Sequence, residues 1–129
     1  MPSLLKLKKI YNKTENDFKK VKLAIVSDNS SQFLTQAIKA YGIKYQLNLD
    51  IFESNYNQID FQLLNFESPL YKFKPEFIFI NFSTQKLLNK FYKTDAINRN
   101  NFSDYKINEI QNIYEAINSK INPTIIINN

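Results

Sequence analysis

Five consecutive polar residues, Ser27, Asp28, Asn29, Ser30 and Ser31, follow directly on the apolar run Leu23, Ala24, Ile25 and Val26, and a helical pattern begins at once. Open α/β folds place ligands at the carboxyl ends of their strands, because the free amides that open the next helix attract an anion or a carbonyl oxygen. Asp28 is the one acid in this turn. It suits orienting a ligand or binding a metal with help from another module; it equally suits capping the helix or accepting from the loop amides. Ser30 and Ser31 are candidate nucleophiles or plain first-turn residues. A second turn of the same kind, with Ser83 and Thr84, follows the apolar run at residues 77–80. Asn57 either adds a hydrogen-bonding group to the same crevice or caps a short helix of which Asp60 is in the first turn. Asp50 and Asp60 lie on different elements and show no spacing of a catalytic carboxylate pair.

What is missing narrows the chemistry further. The chain has no histidine and no cysteine, which excludes a Ser-His-Asp relay, a histidine base, thiol catalysis and the common zinc sites within it. Its single glycine, Gly42, excludes a glycine-rich dinucleotide- or phosphate-binding loop. Carboxylates, hydroxyls, amides and lysines remain.

These groups must be positioned by strands and helices in alternation. Leu4, Leu7, Tyr11 and Phe18 recur at helical spacing with lysines between them, predicting an amphipathic leading helix over residues 4–19, within a basic leading segment of residues 1–20. After the first turn, Phe33, Leu34, Ala37, Ile38 and Tyr41 form the apolar stripe of a helix that Gly42 would end in a left-handed cap. Tyr45, Leu47, Leu49 and Ile51 alternate with polar residues, as in a strand with one buried face near a sheet edge. Residues 56–65 read as a short helix, and Ser68 and Pro69 as a cap and first-turn proline. The unbroken apolar run of residues 77–80 suits a central parallel strand covered on both faces. Ser83 should cap a helix carrying Leu87, Leu88, Phe91 and Tyr92. Residues 94–102 read as the longest loop, Ser103 as the cap of a last helix, and residues 124–127 as a fourth strand. Right-handed crossovers then give one three-layer αβα domain over residues 1–129 with a flavodoxin-like parallel sheet of about four strands in the order 2-1-3-4. In that order the first and third strands are neighbours, so their two polar turns converge at the topological switch point.

At 129 residues the chain is one domain in size, and 43% apolar content with 15% aromatics excludes a disordered one. No segment approaches the roughly 20 apolar residues of a membrane-spanning helix, and the lysine-interrupted start is no secretory signal. The absence of cysteine fits a reducing compartment, so a soluble, cytoplasmic protein is expected. Seven lysines against two acids in residues 1–22 account for the whole excess of +5. With one arginine and no nucleic-acid motif, that charge reads as the solvated face of the leading helix, and no nucleic-acid partner is expected.

The runs KLAIVSDNSSQFLTQAIKAYG and LDIFESNYNQIDFQLLNFESPLYKFKPEFIFINFSTQKLL, with YNQID at residues 56–60 and SPLYKFKPEF at 68–77 as their most specific parts, resemble the amino-terminal SGNH-hydrolase-like domain of FkbH-like proteins, in subfamily IIIC of the HAD superfamily. The resemblance implies a downstream HAD-type phosphatase-like domain, to which any Mg would belong, since no cofactor is implied for this domain. It also implies work on an acyl carrier protein, an acyl group or a sugar intermediate, in glyceryl transfer or in polysaccharide and secondary-metabolite biosynthesis. The Gly-Asp-Ser turn of SGNH hydrolases would fall on Ser27, Asp28 and Asn29, where only the aspartate agrees; the Asp-x-x-His block is absent. The expectation is therefore a binding module with no confident catalytic residue, its crevice formed by Ser27, Asp28, Asn29, Ser30, Ser31, Asn57, Ser83 and Thr84. The alternatives are a degenerate esterase or acyltransferase using Ser30 or Ser31, and an interaction module docking through its basic leading helix.

Overall fold

The computed structural model describes residues 18–128 together with Leu5 and Lys6. Most of the expected leading helix lies outside the described residues. Its expected end does not: Lys19 and Lys20 already belong to the first strand, β1 (Lys19–Ser27). The lysines hid this strand because its first half is exposed except at Val21, whereas residues 24–27 are buried on both faces. The register explains how so polar a start is held, since Lys19, Lys20 and Lys22 pair with Leu47, Asn48 and Asp50 of the neighbouring strand.

From β1 the chain runs through α1 (Gln32–Gly42) and a 3-10 turn (Ile43–Tyr45) into β2 (Leu47–Glu53). It continues through α2 (Ile59–Leu64) and α3 (Pro69–Phe73) into β3 (Phe77–Asn81), and through α4 (Thr84–Lys93), α5 (Ala96–Arg99) and α6 (Phe102–Lys120) into β4 (Thr124–Ile127). All strand pairs are parallel and the sheet order is β2-β1-β3-β4. The expected three-layer α/β architecture is therefore present.

One face of the sheet carries the main core. Ala24 and Val26 of β1 and Ile78 and Ile80 of β3 meet Ile59 and Leu63 of α2, Leu70 and Tyr71 of α3, and Ile113 and Ile117 of α6. Burying each of the larger aliphatic side chains contributes about 1.5–3 kcal/mol. The Tyr71 hydroxyl donates to the Leu63 carbonyl at 2.5 Å, which satisfies the one polar atom of that ring, and burial pushes its phenol above the ordinary value. On the other face α1 packs on β2, with Ala40, Ile43 and Leu49 buried.

Several local expectations need correction. Gly42 is right-handed (φ −54°) and continues into the 3-10 turn; the left-handed residue is Gln46 (φ 57°). What Gly42 supplies is room: a Cβ there would lie 2.9 Å from Leu49 Cδ1, so the missing side chain lets α1 run close to β2. Ser68 sits at the cap position of α3, but its hydroxyl donates instead to the Gln62 carbonyl at 2.7 Å, and the Gln62 side-chain oxygen accepts from the Leu70 amide at 3.3 Å. Glutamine has replaced serine as the cap. β3 alternates, with Ile78 and Ile80 fully buried and Phe77, Phe79 and Asn81 only partly covered, because the face away from the main core is covered less completely at β3 than at β1. The expected loop at 94–102 contains α5, and Asn101 rather than Ser103 precedes α6.

Candidate functional site

The two turns at the carboxyl ends of β1 and β3 converge as their strand order requires, since Ser27 and Asn81 are register partners. Their side chains are bonded mostly to one another. The buried Ser27 hydroxyl donates to Asn29 Oδ1 at 2.6 Å and accepts from Asn81 Nδ2 at 3.0 Å and from the Asn29 amide at 3.3 Å. Asn81 Nδ2 also reaches Asn29 Oδ1 at 3.2 Å, closing a triangle. One residue further on, the Asp28 amide donates to the Asn81 carbonyl at 3.2 Å. The Asp28 carboxylate turns across the switch point and accepts from the Ser83 amide with both oxygens, at 2.8 and 3.0 Å. Such charge-assisted bonds to a backbone amide are among the stronger ones in a folded chain.

Ser83 caps α4, its hydroxyl accepting from the Lys86 amide at 3.4 Å. The Lys86 side chain then folds back over the crevice, where its ammonium donates to the Asp28 carbonyl and, at 3.1 Å, to Asn57 Oδ1. Asn57 is therefore part of the crevice but does not cap α2. It stands at φ 67°, in the left-handed region that asparagine tolerates, and Gln58 takes the cap position without a side-chain bond. Thr84 is exposed at the first position of α4. Ser30 is exposed, and Ser31 is buried at the cap position of α1 with no side-chain cap bond.

Five of the eight expected residues, Ser27, Asp28, Asn29, Asn57 and Ser83, are thus joined in one cross-bonded crevice, while the side chains of Ser30, Ser31 and Thr84 stand outside its bonding. Three further participants were not among the expected site residues, although Asn81 opens the second of the two polar turns, residues 81–85, that were expected to converge. Asn81 was legible in principle as the register partner of Ser27. Lys86 was not, because nothing in the order of residues says which way a lysine bends. Asn128 completes the rim: Oδ1 accepts from the Phe82 amide at 2.8 Å and Nδ2 donates to the Phe82 carbonyl at 3.1 Å, tying the end of β4 to the entry of α4.

The chemistry available here is that of holding. Asp28 faces a backbone amide, and no hydroxyl in the network is paired with a base. Among the described residues no three acids, histidines or cysteines gather as a metal site. A cavity of about 680 Å³ lies at the opposite, amino-terminal end of β3 and β4, where Tyr71, Lys72, Lys74 and Lys120 line the ends of α3 and α6. It is remote from the converging turns. Among the described residues no helix is long and apolar enough to cross a membrane.

No curated protein sequence matches the chain. A solved structure does: the amino-terminal part of the protein BF1531 from Bacteroides fragilis, described as containing a phosphatase domain complexed with Mg, is 27% identical, with a TM-score of 0.86 over 98% of this chain. The match takes in 33% of that protein's solved chain, so the present chain spans about a third of its length. The model of the FkbH N-terminal domain matches residues 22–128, from the second half of β1 to the Asn128 clamp. The chain belongs to the FkbH N-terminal domain family.

Proposed function

We propose that this chain is the non-catalytic amino-terminal module of an FkbH-like polypeptide with a phosphatase-like domain, and that its strand-end crevice holds an acyl or sugar intermediate, free or on a carrier protein. The observation that carries this reading is the commitment of Asp28 to the Ser83 amide. A crevice acid that is already bonded to the backbone is no base for Ser30 or Ser31. Lys86 supports the binding role, since the partners its ammonium finds are neutral oxygens, one backbone and one amide. Such a cation retains attraction for a carboxylate, a phosphate or a polarised carbonyl. A pathway of glyceryl or acyl transfer in polysaccharide or secondary-metabolite biosynthesis fits that chemistry.

The test uses the whole polypeptide with acyl-loaded carrier protein as probe. Changing Asp28 and Asn29 together to alanine should weaken carrier binding or lower turnover at least tenfold. Unchanged affinity and turnover would remove the crevice from the function. Hydrolysis of short acyl esters by the wild-type chain, abolished by Ser30→Ala or Ser31→Ala, would replace the binding reading with the esterase one.

A further inference from the structure

We infer that α4 and the outer edge of β4 form the seat on which the phosphatase-like domain packs; the inference rests on the reading of the chain as an amino-terminal module. The starting point is a helix with no fully buried residue, in which Phe91 alone of the apolar stripe is half-buried, against Phe102 and Arg99. Leu87, Leu88, Phe91 and Tyr92 make an apolar stripe on α4, opposite Lys86, Lys90 and Lys93. A helix patterned this way normally turns its stripe onto a core. Yet none of its ten residues is buried, and Leu88 and Tyr92 stand 48% and 61% exposed. The longer α6, in the same crossover, buries Ile113 and Ile117 and so already fills the place over the sheet.

A second observation adjoins the first. β4 is the outermost strand, with no partner on its far side among the described residues, and Ile126 and Ile127, on opposite faces of it, are both exposed. Parallel sheets are ordinarily covered, and an apolar outer strand invites cover.

Chain continuity supplies the occupant. Asn128 is bonded through both ends of its side-chain amide to Phe82, and its own amide donates to the Ile80 carbonyl at 3.3 Å. Polypeptide continuing past Asn128 therefore sets out within two residues of the start of α4. Connections between packed elements are commonly about 4–6 residues long, so an element joined to the end of β4 is delivered to this flank. The solved neighbour shows such an arrangement of sequence, in which a region matching this chain is a third of a chain described as containing a phosphatase domain. Interfaces between domains of one chain cover about 600–1,500 Å², a scale that a three-turn helix stripe and an adjoining strand edge can meet.

The chain contains no cysteine, which makes thiol labelling a clean readout. In the whole polypeptide, with any cysteines of the second domain replaced, single Leu88→Cys, Tyr92→Cys and Tyr45→Cys variants are labelled with a maleimide, each rate normalised to that in urea. Tyr45, 69% exposed on the 3-10 turn, is the reference. Labelling at positions 88 and 92 should be at least tenfold slower than at 45, at every protein concentration. Rates within twofold of the reference, in a polypeptide whose measured mass includes the phosphatase-like domain, overturn the seat and leave the module reading standing. A mass with no such domain overturns both. Protection that disappears on dilution overturns the inference in favour of a second copy of the chain.

Discussion

The turns after β1 and β3 look alike in sequence, each a polar run between an apolar strand and an amphipathic helix, but they do opposite work. The turn after β3 receives. Ser83 is capped onto Lys86, its amide is taken by Asp28, and Phe82 before it is held by Asn128. The turn after β1 gives. Ser27, Asp28 and Asn29 commit their side chains to each other and to the partner turn, while Ser31 leaves its own helix without a side-chain cap. Residues of one type can thus cap the local helix or lock a neighbouring element, and which they do follows from the sheet order rather than from local preference. Here β1 and β3 are neighbours in the middle of the sheet, so each turn lies within reach of the other, and the β3 turn is reached from β4 as well.

Breaking the lock should have the largest effect. Asp28→Ala removes both acceptors from the Ser83 amide, and bonds to charged groups are each worth about 1.5–3 kcal/mol, so urea unfolding should show a loss of about 2–3 kcal/mol. Asp28→Asn keeps one neutral acceptor and should lose roughly half as much. A loss below about 0.5 kcal/mol for Asp28→Ala, the level of an ordinary surface change, would mean that the two turns are held by their strands alone.

Ser27→Ala comes next. Its hydroxyl is buried and bonded to Asn29 and Asn81, so its removal strips the Asn29 backbone amide of its acceptor and leaves the two side-chain amides only their 3.2 Å bond to each other, at about 1–2 kcal/mol. Asn81→Ala should cost a similar amount, and the double variant less than the sum of the two if they form one network. Additive losses would show Ser27 and Asn81 acting separately. Ser83→Ala follows: N-caps contribute about 0.5–2 kcal/mol, and at 3.4 Å this bond belongs at the lower end.

These contrasts also mark how far the fold could be read from the residues. The strand cores, the alternation with helices and the order 2-1-3-4 were legible because apolar runs and crossover handedness are strong signals. Most of the crevice residues were legible too, as polar runs at strand ends. The rest depended on neighbours distant in sequence. Lys19 and Lys20 are strand residues only because β2 offers them a ladder. Gly42 is needed for its distance from Leu49 rather than for its torsion angle, and Gln62 caps a helix eight residues ahead of it through its side chain. Local preference fixes none of these choices, since each involves a contact made across the folded chain.

Ser31→Ala is the smallest expected effect and the sharpest test of the contrast between the turns. Ser31 holds the position where serine usually contributes about 1 kcal/mol, yet its side chain makes no capping bond and only its carbonyl serves α1, accepting from the Thr35 amide at 2.8 Å. Alanine keeps that carbonyl and fits a site where the residue is just 4% exposed. Stability should therefore stay within about 0.5 kcal/mol of wild type, well below the Ser27→Ala loss. A cost near that of Ser27→Ala would give the first turn a cap of its own, and the division between a turn that gives and one that receives would fail. Unchanged stability with weakened carrier binding would instead give the Ser31 hydroxyl a part in holding the ligand.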